Sequence, residues 1–390
     1  MKKVVLNNGI TLLCVDNNSK TGFEVSLTFK CGHQNEPKLG LAALYENIVI
    51  RQAQGGISAV YGGSITSFFT GGPMNALNKQ INELWLCCSH PSIDADIVKA
   101  AIDDIVQHTV DLAAVPMRQT KLAYKHTAFS QDDVVWDTAE YIQKVSALTV
   151  DDVKSYIDSC YVGRNIVIGY CGTESGFDKL VKVVDKLFGS LPAGKPTPVK
   201  NLLYTGGYQE IPGNGTTFIA MFGWDISRSS NYAETNVLMS MLSARLERAL
   251  APLSVTTEVK IAGYFGFRTL RICVSCDNRK HFNKAIDEVC YQVHRLKNED
   301  ASSRRMETSR QRAMTERLAI SNEEFPRSIH AAWLFLKRGI DYDNNRCVSN
   351  IYRTDARDVR DKALDIFAEK MTCVIYGAKA SYEDILAKMQ

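Results

Sequence analysis

The residues that could bind a metal ion or act as nucleophiles are widely spread through this sequence of 390 residues. It contains seven histidines, and no two of them lie within five residues of each other. A helical zinc site usually takes two histidines from neighbouring turns of one helix face. The sequence therefore predicts no such site, and we interpret the histidines as ordinary surface or core residues: His33, His90, His108, His126, His281, His294 and His330.

The cysteines also lack the spacing of a metal site or of a disulfide framework. There are 11, an odd number, and several interrupt apolar strand-like runs, as Cys171 and Cys373 do. We interpret them as buried free thiols, which indicates a reducing compartment. Cys273 and Cys276 form a C-x-x-C motif, which leaves a zinc or redox role open. Residues three apart on an extended strand face opposite sides, however, so two independent thiols are the favoured interpretation.

Overall composition excludes several classes of protein. Hydrophobic residues make up 45% and charged residues 23% of the chain, as in an ordinary globular protein. The net charge of +3 is small for this length and argues against a nucleic-acid or membrane-surface partner. We find neither an export signal nor a run of about 18 apolar residues that would span a membrane. We therefore expect a cytoplasmic protein with no membrane partner.

The chain divides into two halves of similar size. Gly189 to Pro198 is rich in glycine and proline, the turn and breaker residues of interdomain linkers. We predict an N-terminal repeat at 1–190, a linker at 191–200 and a C-terminal repeat at 201–390. The halves end alike: a helix that starts at Thr149 leads to the strand 165–170, and one that starts near Thr354 leads to the strand 372–376. Amphipathic segments follow at 177–188 and 382–389.

The elements within each half favour an α+β fold. Ile10–Val15 and Phe23–Phe29 have the pattern of a hairpin, and helical patterns group at 95–125 and 131–145. Grouped strands and grouped helices are typical of a largely antiparallel sheet covered by helices.

Several segments resemble the inverted-zincin metallopeptidases, the group of insulinase, pitrilysin and mitochondrial processing peptidase. They are Cys31–Pro37 with Gly40-Leu41-Ala42, then Gly62–Ser67, Leu148–Gly172 and Phe188–Pro192. The resemblance covers essentially the whole chain and is stronger in the first half. It implies two homologous α/β-roll repeats that form one half of a clam-shell peptidase, in the short, dimeric branch of the family.

The same resemblance implies that the zinc site is lost. Where the family has H-x-x-E-H, this chain has Ala43-Leu44-Tyr45-Glu46-Asn47. Alanine has no donor atom and a neutral amide is a poor zinc ligand, so Glu46 would be a general base without a metal-bound water. The family's third ligand should fall within Leu112–Gln131, which contains no acidic residue. We therefore expect no cofactor in this chain, and zinc only in a partner.

Some zinc-free members supply an arginine and a tyrosine from the second repeat to the partner's active site. The arginine position here is Ala251 or Arg248, depending on the register, and the tyrosine position is Val255. Tyr264 is a displaced alternative. We therefore do not favour a role in which this chain stabilises the oxyanion in its partner's active site.

Two segments are candidates for peptide binding. In the family, peptides add as a strand to a sheet edge beside the metal helix. The matching residues are Ser64, Ile65, Thr66, Ser67, Phe68 and Phe69, which fit an interior strand equally well. The second segment is a basic helix with Arg304, Arg305, Arg310, Arg312 and Arg317, interpreted as a solvated helix or as a wall that attracts an acidic peptide.

The leading hypothesis is a non-catalytic subunit of a heterodimeric metalloendopeptidase. Its partner would be an active, zinc-containing family member, and the pair would process a ribosomally made peptide. The alternative is a zinc-free structural or peptide-binding homodimer without a proteolytic role. An unrelated activity is a third possibility, but we see no nucleophile paired with a base and no phosphate-binding loop.

Overall fold

The computed structural model describes residues 2–15, 22–53, 56–129, 137–198, 203–213, 215–227, 232–262, 268–319, 327–339 and 344–390. Two compact units share the chain. The first unit comprises Met1–Val110, Thr138–Lys200 and Ala319–Asp343. The second unit comprises Asp111–Asp137, Asn201–Leu318 and Asn344–Gln390. Each unit thus includes a segment from the opposite half of the sequence, so the compact units differ from the predicted linear domains 1–190 and 201–390.

The strands form one sheet in each unit. In chain order they are β1 (Lys2–Val5), β2 (Thr11–Val15), β3 (Gly22–Phe29), β4 (Ser58–Tyr61), β5 (Thr66–Pro73), β6 (Ile166–Cys171), β7 (Gly207–Ile211), β8 (Phe218–Asp225), β9 (Thr256–Ala262), β10 (Thr269–Cys276) and β11 (Met371–Tyr376). The first sheet has the order β1-β2-β6-β3-β5-β4, and the second has the order β7-β11-β8-β10-β9.

Helices surround both sheets. In chain order they are α1 (Leu41–Gln52), α2 (Leu77–Ser89), α3 (Ala95–Ala113), α4 (Pro116–Ala128), α5 (Thr138–Ser146), α6 (Val150–Cys160), α7 (Glu174–Phe188), α8 (Tyr232–Leu250), α9 (Arg279–Asn298), α10 (Ser303–Ala319), α11 (Arg327–Arg338), α12 (Asn344–Arg353), α13 (Ala356–Phe367) and α14 (Tyr382–Met389). The predicted helical run 95–125 divides in two because Pro116, which lacks a backbone N–H, begins α4. The predicted run 131–145 lies partly outside the described residues, and α5 covers its end.

The two sheets share one topology, which confirms the predicted repeat. In the first unit β2 pairs parallel with β6, and β6, β3, β5 and β4 follow in antiparallel order. In the second unit β7 pairs parallel with β11, and β11, β8, β10 and β9 follow in the same way. The α+β class is likewise confirmed. Thr149 caps α6 as predicted, because its side chain accepts a hydrogen bond from the Asp152 N–H.

The predicted hairpin of β2 and β3 is wrong. Strand β6 lies between them, parallel to β2 and antiparallel to β3. The two strands are adjacent along the chain and each has a buried apolar pattern, but pairing depends on which strand fills the centre of the sheet. All six residues of β6 are buried, as expected for a central strand covered on both faces.

The second face of the first sheet is covered by α11, a helix from the opposite half of the sequence. This helix contacts β2, β3 and β6, and Ala332 packs in a buried cluster with Leu13 and Val167. The backbones approach closely here, since a Cβ at Gly169 would collide with the Ser328 carbonyl. The contact therefore requires glycine in the central strand.

Helix α4, which comes from the first half of the sequence, covers one face of the sheet in the second unit. It packs on β7, β8 and β11, and Tyr124 and Ala128 lie in a buried cluster with Met221. A Cβ at Gly223 would meet the hydroxyl group of Tyr124. Each sheet thus carries a glycine where a helix from the other sequence half lies against it.

One pair of cysteines corrects the prediction that all are free thiols. Cys31 and Cys160 form a disulfide, with Cα atoms 6.2 Å apart and a sequence separation of 129. Cys31 follows β3 and Cys160 ends α6, so only the tertiary fold brings the two together. The other nine cysteines, including Cys273 and Cys276, are thiols outside any disulfide. Within the described ranges, no helix is long and apolar enough to cross a bilayer.

Candidate functional site

The N-terminus of α1, the helix that carries the altered zinc motif, is held by hydrogen bonds to the Glu36 carboxylate. Gly40 precedes α1 with a left-handed backbone at φ 95°, a conformation that favours glycine. The Glu36 carboxylate accepts hydrogen bonds from the Gly40 and Ala42 N–H groups, each at 2.7 Å. These bonds satisfy donors that the first turn of a helix leaves unpaired, and a negative charge is favourable there. The family-like segment Glu36–Ala42 therefore positions α1.

The two positions that correspond to zinc-binding histidines have structural roles instead. Ala43 is buried, with 5% of its surface exposed, and has no donor atom. The Asn47 side-chain oxygen accepts a hydrogen bond from Arg51 Nε at 2.9 Å, one turn along the helix. Arg51 also forms an ion pair with Asp104 and thereby ties α1 to α3. Neither position offers a free metal ligand.

The middle of the motif is aromatic and buried. The Tyr45 hydroxyl donates to the Cys88 carbonyl at 2.8 Å and lies 3.0 Å from the hydroxyl of Tyr161. Its ring packs edge-on against Phe68, with centroids 5.6 Å apart. Desolvation raises the pKa of this hydroxyl well above its ordinary value. Tyr45 therefore joins α1 to the sheet through packing, and its hydroxyl stays neutral.

Glu46 stands where the resemblance puts the general base of active inverted zincins. Burial raises the pKa of its carboxyl from 4.5 to about 6. A pKa in this range would suit a general base, because such a group can gain and lose a proton near neutral pH. Catalysis also requires a nucleophilic water, and the neighbouring positions supply nothing that would bind and activate one.

The donor set around α1 does not suit zinc. Tetrahedral zinc sites take three or four nitrogen, sulfur or carboxylate ligands. Ala43 and Asn47 provide none, and the segment expected to supply the third ligand contains no acidic residue. Across the described ranges, no group of three or more His, Cys, Asp or Glu side chains is placed to hold a metal ion.

The sheet edge predicted for peptide binding is an interior strand. Strand β4 covers β5, with Ser58 opposite Phe69 and Tyr61 opposite Thr66. The predicted substrate-binding residues Ser64, Ile65, Thr66, Ser67 and Phe68 are all buried, with at most 2% of their surface exposed. The prediction of an exposed edge at 64–69 is therefore wrong, and the interior-strand alternative is correct.

Hydrogen bonds inside the first unit account for the polar residues of that strand. Ser67 Oγ lies 2.9 Å from Thr28 Oγ1 and accepts a hydrogen bond from Trp333 Nε1 at 2.9 Å. Thr66 Oγ1 donates to the Cys31 carbonyl at 2.7 Å. The serine and threonine side chains of this strand thus serve strand pairing and the attachment of α11.

The edge strand next to β5 is instead β4, from Ser58 to Tyr61, and β1 lies at the other end of the sheet. Ser58 is exposed, Ala59 and Val60 are half-buried, and the strand contacts α1. Its outer backbone groups are the natural place for an added strand beside the altered motif.

The candidate arginine of the second repeat, Arg248, is exposed in the last turn of α8. Ala251 begins a short 3-10 turn after this helix, and Val255 precedes β9. Tyr264 lies outside the described residues. The structure therefore leaves Arg248 as an accessible cation of the second unit, without a described tyrosine at the family position.

The basic helix α10 is held largely by ion pairs within the second unit. Arg312 donates to Glu247 Oε1 and Oε2 at 2.6 Å and 2.8 Å, and to Glu316 at 2.7 Å. Arg310 donates to Glu307 at 2.8 Å. These contacts favour the interpretation of α10 as a solvated helix, because two of its five arginines are already neutralised.

Arg245 is a polar residue that the sequence analysis did not select. It lies one turn after Leu242 and directly before Leu246, two residues of the apolar core of α8. Its guanidinium Nε and Nη1 are buried and have no hydrogen-bond partner. The signal that could have found it is an arginine at a core-facing helical position, since buried arginines are rare unless paired.

Comparisons with known proteins agree with this fold. Residues 147–312 match the family model described as Peptidase M16 inactive domain. A chain of Complex III2 from Candida albicans, Inz-5 bound, is similar with a TM-score of 0.87 and 14% sequence identity, over 100% of this chain and 99% of that chain. No curated protein sequence matches. Residues 147–312 are thus similar to the inactive domain of the M16 peptidases, the whole chain has the fold of the Complex III2 chain, and Ala43 and Asn47 stand where the resemblance puts zinc-binding histidines.

Proposed function

We propose that this chain is the non-catalytic subunit of a heterodimeric metalloendopeptidase. Its partner is an active family member with an intact H-x-x-E-H helix, and this chain forms part of the chamber wall and binds peptide. The observation that carries the proposal is the state of α1. Its cap at Glu36 is intact, whereas Ala43 and Asn47 have replaced both histidines. Loss of chemistry from a well-built helix is consistent with selection for the fold alone.

The position of β4 at one end of the sheet order, among the described strands, supports the peptide-binding part of the proposal. An extended peptide can add to this edge through backbone hydrogen bonds, beside the helix that holds the catalytic metal in active members. We propose a ribosomally made peptide as the substrate class, because paired active and inactive short subunits of the resembled family process such peptides.

Metal analysis is the first test. The purified chain should contain well below one equivalent of zinc after dialysis against zinc-containing buffer, and the partner should contain one. One tightly bound equivalent of zinc in this chain would contradict the proposal.

Co-expression with a zinc-containing family member from the same organism is the second test. We expect a stable one-to-one complex whose peptidase activity neither chain has alone. The matched control replaces the first histidine of the partner's motif with alanine, which should abolish activity without separating the complex. Full peptidase activity of the partner alone would contradict the proposal that this chain is needed to form the chamber.

Proline substitutions at Ala59 and Val60 test the peptide-binding edge. Neighbouring N–H groups of a strand point in opposite directions, so one variant loses an outward donor and the other a ladder bond to β5. The variant that loses the outward donor should remain folded and bind peptide more weakly. Unchanged peptide binding by both variants would exclude β4 as the docking edge.

A second candidate function is a zinc-free structural subunit or peptide-binding homodimer. The observation that favours it is the similarity to a chain of Complex III2 over nearly the full length of both chains. Light scattering separates the two candidates, because a homodimer that forms without a zinc-containing chain and leaves peptidase activity unchanged supports the structural role.

A further inference from the structure

Strand β9 lies at one end of the second sheet. Among the described strands it pairs with β10 alone, in the order β7-β11-β8-β10-β9. It occupies the place that β4 occupies in the first sheet, but it has seven residues where β4 has four. The backbone N–H and C=O groups that point away from its neighbour can pair with a strand of another chain. The second unit therefore offers a longer edge for strand pairing than β4 does.

The two faces of β9 differ in chemistry. Val259 and Ile261 pack against the apolar core of the second unit, and α8 contacts the strand. Glu258 and Lys260 alternate with them and lie on the other face, where they form an ion pair at 2.6 Å. Their side chains are 50% and 40% exposed. So exposed an ion pair contributes little to the stability of one chain, because water screens both charges. Both charged groups are therefore available to a partner strand.

The cation of this pair also faces another cation within the sheet. In the register of β9 with β10, Lys260 is directly opposite Arg271, and Glu258 is opposite Cys273. Directly opposite residues of an antiparallel pair project on the same face, and like charges there are destabilising. An acidic residue opposite Lys260 on the free side of β9 would offset this repulsion.

We propose that β9 pairs antiparallel with β9 of a second copy of this chain, about a twofold axis at Val259. This register places Glu258 of each copy opposite Lys260 of the other, so that two equivalent interchain ion pairs form. Val259 is then opposite its own counterpart, and Thr257 is opposite Ile261, and β-branched residues of this kind favour paired strands. The contact joins two five-stranded sheets into one continuous sheet. Such a self-complementary interface is the commonest kind in homodimers.

The order of the charges along β9 selects this register and a second copy as the occupant. Each face of the joined sheet continues from one copy to the other, so residues of the same face lie opposite each other and the axis passes through a residue. An axis at Glu258 would place two carboxylates opposite each other, and an axis at Lys260 would place two cations opposite each other. The axis at Val259 between them pairs opposite charges. Strand β9 belongs to the second unit and β4 to the first, so the inference goes beyond the proposed peptide-binding edge.

Sedimentation velocity of the full chain over a series of concentrations tests the pairing. We expect a reversible equilibrium between monomer and dimer. Glu258→Lys and Lys260→Glu should each weaken dimerisation roughly tenfold or more, because each places like charges opposite one another at two symmetric positions. Asp103→Lys is the matched control, since it breaks another exposed ion pair, with Lys99 on α3, and it should dimerise as the native chain does.

An equimolar mixture of the two charge variants separates an interface from a structural defect. The cations of the Glu258→Lys variant then lie opposite the carboxylates of the Lys260→Glu variant. A heterodimer of the two variants should therefore form at concentrations at which neither variant dimerises alone. Mixing could not repair a folding defect in either chain, so restored association would identify these side chains as interface residues.

Three results would overturn the proposal. The first is a native chain that stays monomeric at about 100 μM, because a dimer with a Kd of about 1 μM is then largely associated. The second is a native dimer that survives both charge substitutions, which would place the interface elsewhere. The third is a mixture of the two variants that remains monomeric.

The Glu258→Lys variant also keeps this inference distinct from the proposed function. It should still form the one-to-one complex with the zinc-containing chain, so the light-scattering comparison of the two candidate functions is best made with this variant. Loss of that complex in Glu258→Lys would assign β9 to the zinc-containing partner and overturn self-pairing. Failure of the native chain to bind the zinc-containing chain, with β9 dimerisation intact, would contradict the proposed function alone.

Discussion

At the scale of single residues, Ala43 and Asn47 of the altered motif make structural contacts within and around α1. Ala43 is buried and favours the helix, and Asn47 is hydrogen-bonded to Arg51, which also pairs with Asp104. Glu46 differs from both, because it keeps an acidic group that is costly to ionise where it lies. The residues that replaced the histidines stabilise the helix, whereas the retained glutamate does not.

Restoring both histidines should not restore a peptidase. We expect the double variant Ala43→His, Asn47→His to show no peptide hydrolysis and no tightly bound zinc, because the third ligand is also absent. Asn47→His should further lower the free energy of unfolding by about 1 kcal/mol, since it breaks the bond to Arg51. Zinc analysis and urea unfolding check this, with Asn47→Ala as the control for the lost bond. One equivalent of zinc in the double variant would refute the prediction.

Glu46→Gln should stabilise the protein in a pH-dependent manner. The folded-state pKa is raised from 4.5 to about 6, so ionisation at higher pH favours the unfolded chain. This destabilisation is absent well below pH 4.5, grows as the pH rises, and is complete above about pH 6. Glu46→Gln should therefore raise the free energy of unfolding by about 1–2 kcal/mol at pH 7.5.

Urea unfolding of Glu46→Gln at pH 7.5 and pH 4.5 measures the effect. The gain at pH 4.5 should be much smaller than the gain at pH 7.5. Glu369→Gln, which removes an exposed carboxyl, is the control and should show no such difference. Equal effects of Glu46→Gln at the two pH values would contradict the assignment.

At the scale of elements, the connections between β3, α1 and α6 define the neighbourhood of the altered motif. Glu36 caps α1, Cys31 precedes this cap, and the disulfide to Cys160 joins it to the end of α6. Tyr45 adds aromatic contacts to the sheet and to Tyr161. These contacts hold the start of α1 from several sides, although the helix has no metal to position.

The disulfide between Cys31 and Cys160 predicts the number of reactive thiols in the protein. Protein purified and denatured without reductant should show nine reactive thiols, and eleven after reduction. The double variant Cys31→Ser, Cys160→Ser should unfold with a free energy about 2–4 kcal/mol lower under oxidising conditions. Cys276→Ser, at a half-buried free thiol, is the control. Eleven thiols before reduction would restore the interpretation of all cysteines as free.

At the scale of the whole molecule, the two repeats are not independent along the sequence. Helix α11 completes the first unit and α4 completes the second, and each covers a sheet face through a glycine contact. A central strand such as β6, buried on both faces, would expose apolar surface if its covering helix were removed. The halves are therefore predicted to fold only together.

Separate expression tests this dependence. A fragment of residues 1–200 should aggregate or bind hydrophobic dyes, because Leu13 and Val167 lose their contact with Ala332. Addition of residues 319–343 through a flexible linker should restore a cooperative unfolding transition. The same fusion with Ala332→Asp is the matched control, and it should not unfold cooperatively. A fragment 1–200 that unfolds cooperatively by itself would refute the dependence.

Local patterns were enough to predict the repeat, the α+β class and several helix ends. Thr149 as the cap of α6 is an example, because capping depends on residues within one turn. The absence of metal donors at Ala43 and Asn47 is likewise a matter of residue type, which no arrangement of the chain can change. These are the parts of the candidate site that the sequence by itself determined.

Only the tertiary structure decided which elements are neighbours. It placed β6 between β2 and β3, covered β5 with β4, joined Cys31 to Cys160, and assigned α4 and α11 to opposite units. Alternating apolar residues show that a strand has a buried face, but not which strand or helix covers it. Contacts across 129 residues depend on how the whole chain packs. For this reason the proposed docking edge is β4 and not 64–69, and the buried nitrogens of Arg245 were found only in the folded protein.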